Sequence, residues 1–313
     1  MHQLHVSRRI LLERLLVLPA AAVVLAACGK DSSPTAAQAA ASPSPEPTAS
    51  PESTASPEPT VAPTASPTAV AAAPSPTAAA PVSGWASGGT ELITVGYPAD
   101  DIFAAANTCA VSLTQGTTEG PCYFQSDTGE DISLGLTGLP MQLCLQVIDA
   151  SCVPLADHVV EVWHCDNRGV YSGDTSASSD AARFAGDFCT GGDAAAEQST
   201  WYRGQLTTDA SGRVNFKTCF PGWYRGRTIH IHFAVSEPGG ATRVISQFCF
   251  TDELAEEICT THDLYADRGA QDTPLAGGRD GVFPASGYEQ FQLSTARNTD
   301  GTLLGYGVIQ VSA

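Results

Sequence analysis

The stretch that decides the fold covers residues 229–235 and reads Ile229-His230-Ile231-His232-Phe233-Ala234-Val235. Its large apolar side chains recur at every second position, which is the period of a β-strand. One face of such a strand carries these apolar side chains, and the other carries His230 and His232, roughly 6–7 Å apart at Cα. Two imidazoles held in this way can bind one metal ion. Histidines on the solvent face of a half-buried strand would give the same pattern.

Further short runs of the same kind predict the rest of a β-protein. Strands are expected over residues 141–149, 159–165, 243–250 and 303–311. Residues 205–208 and 213–219 flank a turn sequence and predict a hairpin. Thr251 precedes two acidic residues, which predicts an N-cap and a short helix over residues 252–259. Many short strands with few helices predict an antiparallel β-sandwich.

The N-terminal part of the chain is predicted to lie outside this sandwich. Residues 1–28 resemble a twin-arginine export signal with an apolar run too short for a comfortable membrane span. They end in Leu25-Ala26-Ala27-Cys28, which resembles a bacterial lipobox in which Cys28 would be lipidated. An ordinary signal peptide with a chance cysteine is the alternative. Residues 29–83 are rich in Ala, Pro, Ser and Thr and predict a disordered stalk, which leaves residues 84–313 for one catalytic domain with a sizeable core.

Composition excludes one class of partner and predicts an oxidising compartment. The chain has 15 Lys+Arg against 33 Asp+Glu and a formal net charge of −18, which argues against a nucleic-acid partner. Nine of the ten cysteines follow Cys28 in the sequence, and in an exported protein they predict disulfides. Because nine is odd, at least one thiol is free or pairs elsewhere, and the pairing within the domain cannot be deduced from the sequence. Cys165 is expected to be in a disulfide.

Three segments together resemble the intradiol ring-cleavage dioxygenases, a group that includes catechol 1,2- and protocatechuate 3,4-dioxygenases. They are residues 119–123 (EGPCY), 163–171 (WHCDNRGVY) and 221–233 (PGWYRGRTIHIHF), and residues 246–248 (SQF) continue the match. The resemblance covers residues 108–252 and implies a prealbumin-like β-sandwich. This chain departs from the cytoplasmic members at Cys122, where they carry a tyrosine. It also lacks their N-terminal helical dimerisation segment, so their dimer is not assumed.

The resemblance implies a non-haem Fe(III) site with four ligands. Carried over residue by residue, Tyr171 and Tyr224 would be the phenolate ligands, and His230 and His232 the imidazole ligands. Phenolate is a hard, anionic oxygen donor that favours ferric iron, and a ferric ion would ionise a phenol whose free pKa is about 10. The facial triad of ferrous oxygenases requires two histidines and a carboxylate, and no carboxylate stands within the His-x-His unit. Each tyrosine also has a structural alternative, as a core or turn aromatic.

The resemblance also assigns three residues to the reaction. Tyr224 would leave the metal and help to take up a proton, Arg227 would stabilise negative charge on the substrate, and Gln247 would line the pocket. The alternatives are a surface ion pair for Arg227 and an ordinary polar strand position for Gln247. Loss of Arg227 is expected to reduce turnover more than folding. Three other histidines have no partner pattern and are interpreted as structural or surface residues: His158, His164 and His262.

The implied activity is ring cleavage between the two hydroxyls of a catechol, with both atoms of O2 entering a cis,cis-muconate-type diacid. The expected partners are a small aromatic diol, O2 and a membrane reached through the lipid anchor. Two alternatives remain open at this stage. One keeps the fold with another metal or substrate, and the other is a non-catalytic cell-surface binding module with a vestigial metal site.

Overall fold

The computed structural model describes residues 83–312. The predicted export signal, the lipidation of Cys28 and almost all of the predicted stalk therefore lie outside the described residues. Within them, the strands are β1 (Pro140–Ile148), β2 (Val159–Trp163), β3 (Arg203–Thr207), β4 (Arg213–Cys219), β5 (His230–Ser236), β6 (Thr242–Cys249), β7 (Ser294–Arg297) and β8 (Leu303–Gln310). The helices are α1 (Ala104–Asn107), α2 (Asp187–Thr190), α3 (Ala194–Glu197) and α4 (Asp252–Thr261), with 3₁₀ turns at Thr90–Leu92, Asp100–Phe103, Ala266–Arg268, Leu275–Gly277 and Tyr288–Phe291. None of the helices in residues 83–312 has the length and apolar character needed to cross a membrane.

The strands form two four-stranded sheets, as the sequence predicts for a β-sandwich. One sheet has the order β4-β1-β8-β7 and the other the order β3-β2-β5-β6. Neighbouring strands run antiparallel except β1 and β8, which pair in parallel from Met141↔Leu303 to Ile148↔Gln310. A shared core of buried apolar side chains draws on both sheets, with Leu143 and Phe216 from the first and Val162 and Ile231 from the second. The apolar face of β5 predicted from the alternation therefore lies in this core.

The predicted hairpin is wrong, because β3 and β4 belong to different sheets. β3 pairs with β2, whereas β4 pairs with β1. The turn between them is bound to β1: the Val147 N–H donates to the Gly212 carbonyl at 2.8 Å. The Asp209 carboxylate accepts from the Ser211 and Arg213 N–H groups and fixes the turn internally. This docking directs the chain from one sheet into the other.

The helix after β6 begins where the sequence predicts. Its N-cap residue Thr251 accepts a hydrogen bond from the Leu254 N–H, and acidic residues follow in the first turn. The helix continues to Thr261, two residues beyond the predicted end. Its buried residues Ala255, Ile258 and Cys259 pack against the shared core.

Two cysteine pairs have disulfide geometry, Cys109–Cys152 and Cys122–Cys189. Five other cysteines of the described chain are free and buried: Cys144, Cys165, Cys219, Cys249 and Cys259. The prediction that Cys165 is disulfide-bonded is wrong. Its sulfur lies 3.3 Å from the Gly222 carbonyl oxygen, so the thiol is a small buried donor within the tyrosine-bearing region.

Candidate metal centre

β5 presents its two histidines on the face opposite the shared core. Both are buried, and their Nε2 atoms are 3.1 Å apart. His230 Nδ1 lies 2.6 Å from the Thr228 carbonyl oxygen, which can only accept, so Nδ1 carries the proton. The lone pair of His230 is therefore on Nε2 and faces His232. Such a carbonyl partner is the usual means of orienting a metal-binding imidazole.

The two tyrosines lie on neighbouring irregular segments that pack on each other. After the turn at residues 166–169, Val170 and Tyr171 lie outside any strand, and the Tyr171 N–H donates to the Cys189 carbonyl at 3.0 Å. Gly169 has a φ of +83°, and a Cβ there would lie 2.3 Å from the Trp223 carbonyl oxygen. A larger residue would therefore separate the two segments, and with them the rings of Tyr171 and Tyr224, whose centroids are 5.9 Å apart.

The other three predicted side chains converge on His230 Nε2. The Tyr171 hydroxyl oxygen lies 3.3 Å from this atom, the Tyr224 hydroxyl oxygen 3.1 Å, and His232 Nε2 3.1 Å. One imidazole lone pair cannot accept hydrogen bonds from three neighbours at once. A cation surrounded by two phenol oxygens and two imidazole nitrogens satisfies all four groups. The donor set therefore fits a metal ion.

Burial acts on all four groups in the direction of their neutral forms. For the protein alone, burial and the neighbouring Tyr224 raise the pKa of Tyr171 well above its usual value. Burial raises the pKa of Tyr224 to about 12, although the Arg227 guanidinium opposes the shift. Burial, followed by Arg227, lowers the pKa of His230 to about 3, and burial and His230 lower that of His232. Neutral imidazoles are the form that binds metals.

Tyrosine oxygens distinguish this site from the commoner kinds of metal cluster. The described residues contain no group of three or more His, Cys, Asp or Glu side chains arranged to hold a metal ion. Two oxygen donors that become anionic when bound, together with two imidazoles, suit a hard trivalent ion better than a soft one.

Arg227 and Gln247 lie together beside the histidines. The Arg227 Nη2 donates to Gln247 Oε1 at 2.6 Å, and the Gln247 Nε2 donates to the Thr118 carbonyl at 2.8 Å. Gln247 is directly opposite His232 in the β5–β6 register. Arg227 does form an ion pair, but the pair is mostly buried rather than on the surface: its partner Asp280 has a side chain only 2% exposed.

Asp280 is a site neighbour that no sequence pattern revealed. Its carboxylate accepts from Arg227 Nε at 2.9 Å and from the backbone N–H groups of Thr228, Val282 and Phe283. Burial alone would raise the pKa of Asp280, but Arg227 and these N–H donors outweigh burial and hold the pKa below its usual value. The carboxylate thus holds both the guanidinium and the backbone of Phe283, whose ring centroid is 6.5 Å from that of His230.

The segment that begins the family resemblance closes over His232. Gly120 has a φ of +78°, and a Cβ there would lie 3.2 Å from His232 Cε1. Two residues later, Cys122 is bonded to Cys189, whose carbonyl accepts from the Tyr171 N–H. Cys122, noted above as a departure from the cytoplasmic members, therefore links the segment over His232 covalently to the segment that carries Tyr171.

The three remaining histidines lie outside the converging group. His158 Nδ1 contacts the Ala156 carbonyl, and His262 Nε2 contacts the Ala86 carbonyl. His164 is fully buried between the Cys165 carbonyl, 2.7 Å from Nδ1, and the Thr218 hydroxyl, 2.7 Å from Nε2. These contacts suit a neutral ring with its proton on Nδ1, which gives His164 a structural role.

His164 should make stability dependent on pH. Burial lowers its pKa from 6.5 to about 4, so the unfolded chain binds this proton more readily than the folded chain does. The stability from the neutral ring is fully present above pH 6.5 and is lost as the pH falls to about 4, a loss of about 3 kcal/mol. Urea unfolding of wild type and His164→Gln between pH 7 and pH 4 measures it. Wild type should lose more stability than the variant, and parallel curves would refute a buried neutral His164.

Known proteins resemble this chain in sequence and in fold. A family profile described as Dioxygenase matches residues 119–265. A hydroxyquinol 1,2-dioxygenase from Nocardioides simplex is 27% identical over 176 residues, which span 53% of this chain and 59% of that relative. The match thus covers less than two thirds of the relative's length. An intradiol ring-cleavage dioxygenase from Tetranychus urticae has a similar fold, with a TM-score of 0.53 and 24% identity over 64% of this chain and 95% of that one. A second solved dioxygenase structure gives a TM-score of 0.51 at the same identity.

A β-sandwich that gathers two phenols and two imidazoles beside one strand defines a domain with a candidate metal centre. Through residues 119–265 the chain is similar to the dioxygenase family, and its fold is similar to that of an intradiol ring-cleavage dioxygenase.

Proposed function

We propose that the domain is a ferric dioxygenase that cleaves catechols between their two hydroxyls and inserts both atoms of O2, giving cis,cis-muconate-type diacids. The observation that carries the proposal is the approach of Tyr171, Tyr224 and His232 to within 3.3 Å of His230 Nε2. The match of residues 119–265 to the dioxygenase profile and the hydroxyquinol 1,2-dioxygenase relative support it. A purely binding role would give no reason to bury four metal-type donors around one point.

Ferric iron is the metal that the donors favour. Two phenolates would offset two of its three positive charges, and the neutral imidazoles complete the set without adding charge. Tyr171, Tyr224, His230 and His232 would hold the ion. The chemistry that it supplies when bound is Lewis-acid activation of the two catechol oxygens.

The two tyrosines are suited to different tasks. Tyr171 is fully buried and its backbone is anchored, whereas Tyr224 is half-buried on an irregular turn. Tyr224 is therefore the ligand that can move away when a catechol binds. Because its pKa is about 12 in the protein alone, a released Tyr224 phenolate would take up a proton from the substrate at its hydroxyl oxygen.

The neighbouring residues would bind and orient the substrate. The guanidinium of Arg227, held by Asp280 and Gln247, would stabilise negative charge on the catechol in a mostly buried site. Phe283 and the Gly120 segment would limit the access of water to the ring.

The direct test is O2 uptake by iron-loaded protein with catechol, hydroxyquinol and protocatechuate, followed by product analysis with ¹⁸O₂. We expect one O2 consumed per ring and two labelled oxygens in a diacid. A metal-free preparation is the matched control. Absence of uptake with every diol, or a product that carries an aldehyde from cleavage beside the hydroxyls, would contradict the proposal.

We further propose that the domain is exported and anchored through a lipid on Cys28, with residues 29–83 as a spacer. The twin-arginine sequence and the Leu25-Ala26-Ala27-Cys28 motif support this. The full chain should partition with membranes and Cys28→Ser should not, whereas equal partitioning of the two would contradict lipid anchoring.

A further inference from the structure

Arg203 is a buried guanidinium that the proposed reaction does not use. It is the first residue of β3, is only 5% exposed, and forms no ion pair with a carboxylate within residues 83–312. Its Nη1 is buried without a hydrogen-bond partner in this part of the chain. A charge buried in this way is costly unless a nearby anion compensates it.

The position of Arg203 in the sheet links it to the metal centre. It lies opposite Trp163 in the β2–β3 register, and Trp163 lies opposite His232 in the β2–β5 register. Residues that are directly opposite share a face of the sheet, so these three form one row. The Trp163 and His232 rings are stacked, with centroids 5.0 Å apart and planes 11° apart.

Arg203 holds the segment that carries Tyr171. Its Nη2 donates to the Ser172 carbonyl and its Nε to the Ser172 hydroxyl, both at 2.9 Å, and the Ser172 hydroxyl donates to the Trp201 carbonyl at 2.8 Å. The guanidinium carbon of Arg203 lies 5.7 Å from the Tyr171 ring centroid and 3.9 Å from the Phe124 ring centroid. Arg203 therefore hydrogen-bonds to two oxygen atoms of Ser172, the residue next to Tyr171, while the guanidinium charge lies beside the Tyr171 ring.

The groups around the guanidinium point to the same partner. Burial lowers the pKa of Arg203 to about 9, and the acidic groups that act against this shift are Tyr171 first, then Glu161 and Tyr123. Arg203 stays charged at neutral pH. Glu161 is itself engaged by Ser126 and by the Tyr123 hydroxyl.

We propose that Arg203 is a positioning residue for Tyr171, whose backbone it fixes and whose bound phenolate its buried charge compensates. This inference rests on the proposed metal-binding function. It assigns to β3 a part in the centre although no ligand lies on that strand. Ligand position and charge balance would both change when Arg203 is replaced, which a purely structural arginine would not cause.

The test compares Arg203→Met and Arg203→Lys with a matched arginine elsewhere. Arg213 begins β4 in the other sheet, is also buried, and lies 5.4 Å from the Phe103 ring centroid, but it pairs with Asp100. Visible spectra of iron-loaded protein and the rate of iron loss to a chelator are measured for each. Arg203→Met should move the phenolate-to-iron band to longer wavelength, because the donor loses a stabilising positive charge. It should also weaken iron retention by about tenfold or more, the usual effect of removing a group that orients a ligand.

The two remaining variants separate the effect of the hydrogen bonds to Ser172 from the effect of the positive charge. Arg203→Lys keeps the charge and should restore most of the band position but not the iron retention, whereas Arg213→Met should change neither. If Arg203→Met and Arg213→Met match in band and in iron loss, the proposal is overturned. If Arg203→Met does not fold, Arg203→Lys decides, since retention equal to wild type would refute the role of the hydrogen bonds to Ser172.

A metal-free measurement keeps this inference separate from the proposed function. Wild type that binds no iron would remove the function, but the ¹³Cζ resonance of Tyr171, assigned with Tyr171→Phe, still reports the contact. Arg203→Met should shift this resonance and Arg213→Met should leave it in place. An unshifted resonance in Arg203→Met would refute the positioning role whatever the fate of the metal.

Discussion

Replacing His230 with alanine should abolish metal binding and reduce ring cleavage by roughly a thousandfold or more, because the several kcal/mol that a bound metal contributes would be lost. His230 is the residue around which the others gather: both phenol oxygens and His232 Nε2 lie within 3.3 Å of its Nε2. The substitution removes the nitrogen atom that all three partners approach. Iron content after purification and O2 uptake with catechol are the measurements.

The matched control is His158→Ala, which removes an imidazole whose recorded contact is with the Ala156 carbonyl. That variant should keep its iron and its activity. Thermal unfolding of both variants distinguishes a lost site from a lost fold, since the Ile229 and Ile231 side of β5 is unchanged in each. Full iron content in His230→Ala would contradict the role assigned to this histidine.

The second large effect is expected at Arg227, where leucine should reduce kcat by about a hundredfold while iron stays bound. One well-placed donor in a closed site is worth about 3 kcal/mol in the transition state. Arg227 is close enough to influence the pKa of Tyr224 and His230, and Asp280 and Gln247 hold its guanidinium at 2.9 and 2.6 Å. The loss should fall on kcat more than on KM, because charge develops during the reaction.

Asp280→Asn provides the graded comparison for this prediction. An amide oxygen can still accept from backbone N–H groups, so Arg227 would be loosened rather than removed, and about a tenfold loss is expected. Iron content should equal that of wild type in both variants. A loss of iron in Arg227→Leu, or an unchanged kcat, would show that Arg227 has only a structural role.

The parts of the fold that could be predicted are the strands in which apolar and polar residues alternate along the sequence. The apolar face of residues 229–235 required a buried strand and placed both histidines on the opposite face, as observed. Strand pairing was not local. β1 pairs with β8, which lies far from it in the sequence, and the turn at Gly212 binds to β1 instead of closing a hairpin.

The candidate site divides in a similar way. The resemblance identified the four converging side chains by number, and the structure brings them together, although their binding of iron stays a prediction. Asp280 and Phe283 lie on a segment without periodic pattern, so only their contacts reveal them. No sequence pattern singled out Arg203, whose significance depends on strand registers that one sequence does not contain. The thiol of Cys165 was misjudged because a carbonyl, not a second cysteine, is its neighbour.

The most direct test of the central claim is anomalous scattering at the iron edge from crystals of iron-loaded protein. A ferric site with these four ligands predicts one strong peak per chain, within bonding distance of the Tyr171 and Tyr224 hydroxyl oxygens and of Nε2 of His230 and His232. A peak elsewhere, or no peak from protein that has been saturated with ferric salt, would contradict it.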